Sequence, residues 1–148
     1  MIREKIVNIA LKEVGYKETP SNLTKYGIWF GWNGVAWCGI FVSWVYDLSD
    51  HRIKNGGFTK GFAGCQTFYS IYKKNITTTP TQGDIVLFDW NGDKKFDHVG
   101  IFVKWINESL GTFLTVEGNT SVKNQSNGGS VMLRIRSIKN TLFFNILD

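Results

Sequence analysis

The chain has 148 residues, of which 43% are hydrophobic, 15% aromatic and 20% charged, the size and composition of a single globular domain spanning 1–148. Seventeen basic against twelve acidic residues leave a formal charge of +5, which suits an anionic partner without choosing among nucleic acid, cell wall and membrane surface. Two cysteines are too few for a disulfide scaffold, and no apolar run reaches the roughly 18 residues of a membrane span.

Charges of both signs at Arg3-Glu4-Lys5 argue against a signal peptide. Ile6, Val7, Ala10, Leu11 and Val14 form a helical stripe, predicting an amphipathic helix over 2–14 that stops at Gly15. Residues 16–36 read as aromatic turns. A second helix opens at Cys38, is apolar nearly all round and therefore buried, and ends near Leu48. A short third helix fits 61–73. Beyond Pro80 the pattern becomes strands at 85–88, 99–103, 113–116, 131–135 and 142–147, separated by Asn91-Gly92, Gly111 and Asn127-Gly128-Gly129. Helices first and strands afterwards, with gaps too short for crossover helices, predict an α+β fold with helices against an antiparallel sheet.

Two imidazoles are present. His51 lies in a polar stretch and reads as surface, whereas His98 lies within the apolar strand Asp97-His98-Val99-Gly100-Ile101. On the next strand, a period of two puts Glu117 and Asn119 on one face. A turn centred between Asn107 and Glu108 would set His98 directly opposite Glu117, with Asn119 on the diagonal. Cys38 opens the buried helix, where the positive end of the helix dipole and a nearby imidazole favour a thiolate. Gly39 permits close backbone approach and a pocket of N–H groups. Cys65 has no comparable setting and reads as structural. Asp89-Trp90-Asn91-Gly92-Asp93 begins like a calcium loop, but Lys94 and Gly100 occupy the positions of the expected glycine and glutamate. A β-turn accounts for it better, so Asp89, Asn91 and Asp93 form only a weak calcium site and no cofactor is expected. Trp29, Phe30, Trp32 and Trp37, with few basic neighbours, read as packing and a groove wall rather than a nucleic-acid surface.

The segments Trp37-Cys38-Gly39-Ile40-Phe41-Val42-Ser43-Trp44, Gly83-Asp84-Ile85-Val86-Leu87-Phe88, Asp97-His98-Val99-Gly100-Ile101 and Val116-Glu117-Gly118-Asn119-Thr120 resemble the CHAP family. These are cysteine, histidine-dependent amidohydrolases/peptidases that cut bacterial peptidoglycan, many of them parts of phage endolysins or autolysins. The resemblance implies a papain-like fold, Cys38 as nucleophile, His98 as base, and Glu117 and Asn119 orienting the imidazole or binding substrate. Many relatives carry Gln before the nucleophile as an oxyanion donor. Here Trp37 stands there, a candidate substrate-binding residue. Some relatives bind calcium. The expected activity is a muramoyl-L-alanine amidase or peptide endopeptidase acting through a thioester. An NlpC/P60-type endopeptidase, a transglutaminase-like acyltransferase and an inert wall-binding module are the alternatives. The expected partner is peptidoglycan, approached by a monomer without nucleic acid or membrane insertion and reached by a holin-type route or in a virion.

Overall fold

The computed structural model describes residues 1–148. Helix α1 (Ile2–Lys12) buries Ile6, Val7 and Ala10 and ends two residues before the predicted boundary. Gly15, at φ +99°, turns the chain so that its N–H reaches Val131 O on the sheet. The aromatic stretch contains a helix that the pattern did not reveal, α2 (Lys25–Phe30). Six residues are too few to display a helical period. Local chemistry forms it instead: Thr24 Oγ1 accepts from Gly27 N at 2.9 Å, and Gly31 closes the helix in the left-handed region. Helix α3 (Cys38–Leu48) has the predicted bounds and is buried along most of its length. Helix α4 (Cys65–Tyr72) is shorter than the predicted 61–73 and runs into a 3₁₀ turn at Lys73–Asn75.

Six strands follow: β1 (Ile76–Thr77), β2 (Ile85–Phe88), β3 (His98–Asn107), β4 (Thr112–Thr120), β5 (Ser130–Ser137) and β6 (Thr141–Phe144). They form one sheet in the order β1-β6-β2-β3-β4-β5, antiparallel at every pairing. The fold is thus α+β as predicted, with N-terminal helices on a C-terminal antiparallel sheet. Only the two-residue strand β1 was missed, and β3 and β4 run several residues beyond the predicted spans.

Alternation along the strands divides the sheet into two faces. Ile85, Leu87, Val99, Ile101 and Val116 join Ile40, Phe41, Val45 and Tyr46 of α3 in the main core. Each such fully buried side chain contributes roughly 1.5–3 kcal/mol. The opposite face carries a smaller aromatic cluster of Phe88, Phe102, Phe113 and Phe143, flanked by Trp90 and Trp105. Gly118 lets α3 press onto β4, since a Cβ there would lie 2.7 Å from Phe41 Cβ. That contact fixes the start of α3 against the strand ends that carry His98 and Glu117.

Candidate active site

Cys38 is the first residue of α3, and no side chain caps that helix. Its first N–H groups therefore remain available beside the thiol. Gly39 packs so tightly against the 62–65 segment that a Cβ on it would meet Ala63 O at 2.6 Å. This approach brings together the N-termini of α3 and α4, and with them the two cysteines. The Cys65 thiol, read from the sequence as structural, is thus a close neighbour of Cys38 and acts on its ionisation. The neighbouring Cys65 thiol first, and then His98, hold Cys38 well below the usual thiol range despite its burial. Cys65 is pushed up by the nearness of Cys38 and by burial. Both cysteines are free.

His98 begins β3 and is fully buried. Its Nε2 lies 3.0 Å from Glu117 Oε1. Nδ1 is buried without a hydrogen-bond partner, and Cys38 is close enough for its charge to act on the ring. Burial opposes a charged ring, but the neighbouring Cys38 and the hydrogen bond to Glu117 prevail and raise His98 to about 9. Trp90 stacks on the imidazole at 6.2 Å between centroids.

The register that joins His98 to Glu117 differs from the predicted one. Ile101 pairs with Val116, so one residue further on Gly100, not His98, opposes Glu117. A Cβ on Gly100 would lie 2.7 Å from Glu117 Cγ, so the glycine gives the carboxylate its space. Glu117 reaches His98 on the diagonal. The difference amounts to two residues, an even number, and both side chains therefore stay on the same face. Its source is the tip: Asn107 pairs with Thr112, which centres the turn between Ser109 and Leu110, two residues later than predicted, and register shifts in β3 between Phe102 and Lys104 and between Trp105 and Asn107 take back half of the resulting displacement.

Glu117 is fully buried and has four donors. Oε1 accepts from His98 and from Arg136 Nη2 at 2.6 Å; Oε2 accepts from Arg136 Nε at 2.8 Å and from Thr115 Oγ1. Burial favours the neutral acid, but the Arg136 and His98 bonds overcome it and hold the carboxyl down at about 2. Arg136, on β5, was missed in the sequence. It stacks on Trp90 with its guanidinium carbon 4.7 Å from the ring centroid, and its Nη1 donates to Gln125 Oε1 at 2.6 Å.

Two expected site residues lie elsewhere. Asn119, at φ +57°, makes its side-chain hydrogen bonds to the following loop and none to His98: its Nδ2 donates to Asn127 Oδ1 and its Oδ1 accepts from Gly129 N. It anchors the 121–129 loop. Trp37 is 1% exposed, stacks on Tyr26 and donates through Nε1 to Glu18 Oε1 at 2.9 Å. It is core and offers no face to substrate. The exposed aromatic is Trp32, which with Val35, Ala36, Phe58, Ala63, Gly64 and Thr67 lines a groove of ≈ 430 Å³ beside the segments that lead into Cys38 and Cys65.

The Asp89–Asp93 segment spends its oxygens on its own backbone: Asp89 Oδ2 accepts from Lys94 N, Asn91 Oδ1 from Asp93 N, and Asp93 Oδ1 from Lys95 N. Asp89 Oδ1 is buried without a partner. One free buried oxygen beside an exposed Asp93 is short of the 6–8 oxygen ligands of a calcium site, so the donors do not fit that ion.

A cysteine at a helix start, an imidazole and a buried carboxylate come together on a papain-like α+β scaffold, an arrangement found among peptidase and amidase hydrolases. The sequence model of the CHAP domain matches residues 29–119, which includes Cys38, His98, Glu117 and Asn119, and the chain belongs to the CHAP family. Among solved structures, a Staphylococcus aureus protein described as similar to lipoprotein, NLP/P60 family, superposes with a TM-score of 0.54 at 14% identity, covering 99% of this chain and 42% of its own. This chain therefore spans under half the length of that protein, and the likeness is one of fold. No curated protein matches the chain.

Proposed function

We propose that this protein hydrolyses an amide bond in bacterial peptidoglycan by acyl transfer through Cys38, as a muramoyl-L-alanine amidase or stem-peptide endopeptidase. The observation that carries the reading is the convergence of Cys38, His98 and Glu117 at the start of α3, with Glu117 3.0 Å from His98 Nε2. The Cys38 thiolate attacks the carbonyl carbon, and uncapped N–H groups of α3 receive the oxyanion. His98, as imidazolium, protonates the departing amine and a thioester remains. Neutral His98 then takes a proton from water, hydroxide attacks the thioester, and the thiol returns. Glu117 keeps the imidazole in the tautomer that points Nδ1 at sulfur. The groove at Trp32 and Phe58 receives the flanking part of the substrate, and the +5 charge draws the protein to an anionic wall. The reading includes a monomer that requires no metal and works as a lysin released from the producing cell or carried in a virion.

Digestion of purified peptidoglycan tests it, with mass spectrometry of the fragments. New amine and carboxyl termini at one bond type are expected, absent with Cys38→Ala. Normal digestion by folded Cys38→Ala would overturn the mechanism, and transfer to added amines in preference to water would favour an acyltransferase.

A further inference from the structure

Arg136 is the one lysine or arginine among the buried residues, and its side-chain hydrogen bonds go to Glu117 and to Gln125 of the 121–129 loop. Its Nε and Nη2 grip the two oxygens of Glu117 at 2.8 and 2.6 Å, a forked geometry available to arginine and not to lysine. The guanidinium is itself held in place, stacked 4.7 Å over Trp90 and 5.3 Å over Phe88, with Nη1 tied to Gln125. Trp90 in turn stacks on His98 and donates to Ser126 Oγ at 2.6 Å. The ring that supports the base therefore also supports the cation behind the carboxylate.

We infer that Arg136 is a positioning residue of this site, which fixes both oxygens of Glu117 and completes the charge balance that allows a buried thiolate–imidazolium pair to form. The inference rests on the hydrolase reading given above. In the reactive state the chain Cys38, His98, Glu117, Arg136 runs minus, plus, minus, plus and sums to zero. Without Arg136 the same buried chain carries a net negative charge, which opposes ionisation of the thiol in a medium where charge is weakly screened. Removal also leaves Glu117 with two of its four donors. The carboxylate is then free to rotate away from Nε2, or to take up a proton within the assay range. Either outcome deprives His98 of its anionic partner, and both raise the pH at which Cys38 ionises. A clamp that only joined β4 to β5 would alter melting temperature and leave that ionisation in place.

The experiment uses the full chain as wild type, Arg136→Met and Arg136→Lys, with Cys38→Ala as the inactive control. Two readouts are taken across pH: turnover on purified peptidoglycan, and the rate of Cys38 alkylation by iodoacetamide, with Cys65 labelling distinguished by peptide mass. In Arg136→Met turnover is expected to fall on the order of 10–100-fold, the usual loss for a supporting partner. The acid limb of both profiles is expected to move up by about one pH unit or more, as loss of an adjacent charge commonly does. Arg136→Lys, which restores the charge without the fork, is expected to return the limb toward wild type while recovering only part of the turnover. If Arg136→Met fails to fold, Arg136→Lys carries the test through its turnover. Unchanged acid limbs in folded Arg136→Met, or wild-type turnover in Arg136→Lys beside an unfolded Arg136→Met, would overturn the inference. Absence of hydrolysis by the wild type would instead overturn the hydrolase reading, while the alkylation profiles still decide the role of Arg136.

Discussion

Replacing Glu117 by Gln removes a charge without changing size, and the contacts around it set how much is lost. The carboxylate accepts from four donors, two of them on Arg136. An amide offers one oxygen and one NH₂, so at least one former acceptor position presents a donor to a donor. Arg136, 8% exposed, is left as a buried cation without a countercharge. Breaking a buried ion pair from one side costs about 3–5 kcal/mol, a large part of the roughly 5–15 kcal/mol that holds a domain folded. At about 2–4 °C per kcal/mol for a chain of this length, the melting temperature falls on the order of 10 °C. Turnover falls separately, by about 10²–10⁴, because the imidazole loses its fixed tautomer. The double variant Glu117→Gln/Arg136→Met separates the two effects. Removing the stranded cation restores most of the melting temperature and none of the turnover. Thermal unfolding followed by circular dichroism, alongside single-turnover digestion, reads both. A double variant no more stable than Glu117→Gln would refute the ion-pair argument, and near-normal turnover in folded Glu117→Gln would remove Glu117 from the mechanism.

Cys65→Ala removes the neighbouring thiol that does most to lower Cys38, so the pH midpoint of Cys38 alkylation rises and turnover below it falls, with the fold retained; an unmoved midpoint would leave Cys65 a packing residue. Asn119→Ala frees the 121–129 loop from Asn127 and Gly129, which shows as faster amide exchange in that loop and a turnover change under about tenfold, smaller than that of Glu117→Gln. Glu117, held at about 2 against 4.5 for the free acid, stabilises the fold fully above the free value, and that contribution is lost as the pH drops toward 2. Acid unfolding of Glu117→Gln/Arg136→Met therefore begins at lower pH relative to its own neutral stability than that of wild type. Chelator leaves melting temperature and activity unchanged, and a calcium-dependent rise abolished by Asp93→Ala would show that the Asp89–Asp93 loop holds the ion.

The parts of the site legible in the sequence are those that depend on local periodicity. Cys38 stood out because an unbroken apolar helix follows it, and Glu117 because a carboxylate interrupts an apolar strand. What depends on contacts across strands was hidden. A turn two residues later than predicted, half offset by two register shifts in β3, changed which residue faces which, and Gly100, opposite Glu117, was the one local sign of the true pairing. Arg136 escaped notice because β5 reverses the usual alternation. Leu133 and Ile135 are exposed at the sheet edge, while Arg136 points inward. A buried carboxylate accepts more donors than one imidazole supplies, and that surplus was the available clue. Cys65 was overlooked for a related reason: its meeting with Cys38 follows from the close approach of Gly39 to the 62–65 segment, a contact between elements far apart in the chain.

The register shifts in β3 also bear on how the chain tolerates change in length. Each gives β3 one residue more than its partner, and two such steps return the alternation of faces to phase before the Glu108–Gly111 turn. The hairpin therefore has a proximal half, where one inserted residue would turn His98 or Glu117 to the wrong face, and a distal half already separated from it by two slack points. Added length at the tip is absorbed before it reaches the catalytic end. The 108–111 turn is thus the place in this sheet where a tether, a label or a second module can be spliced without retuning the chemistry.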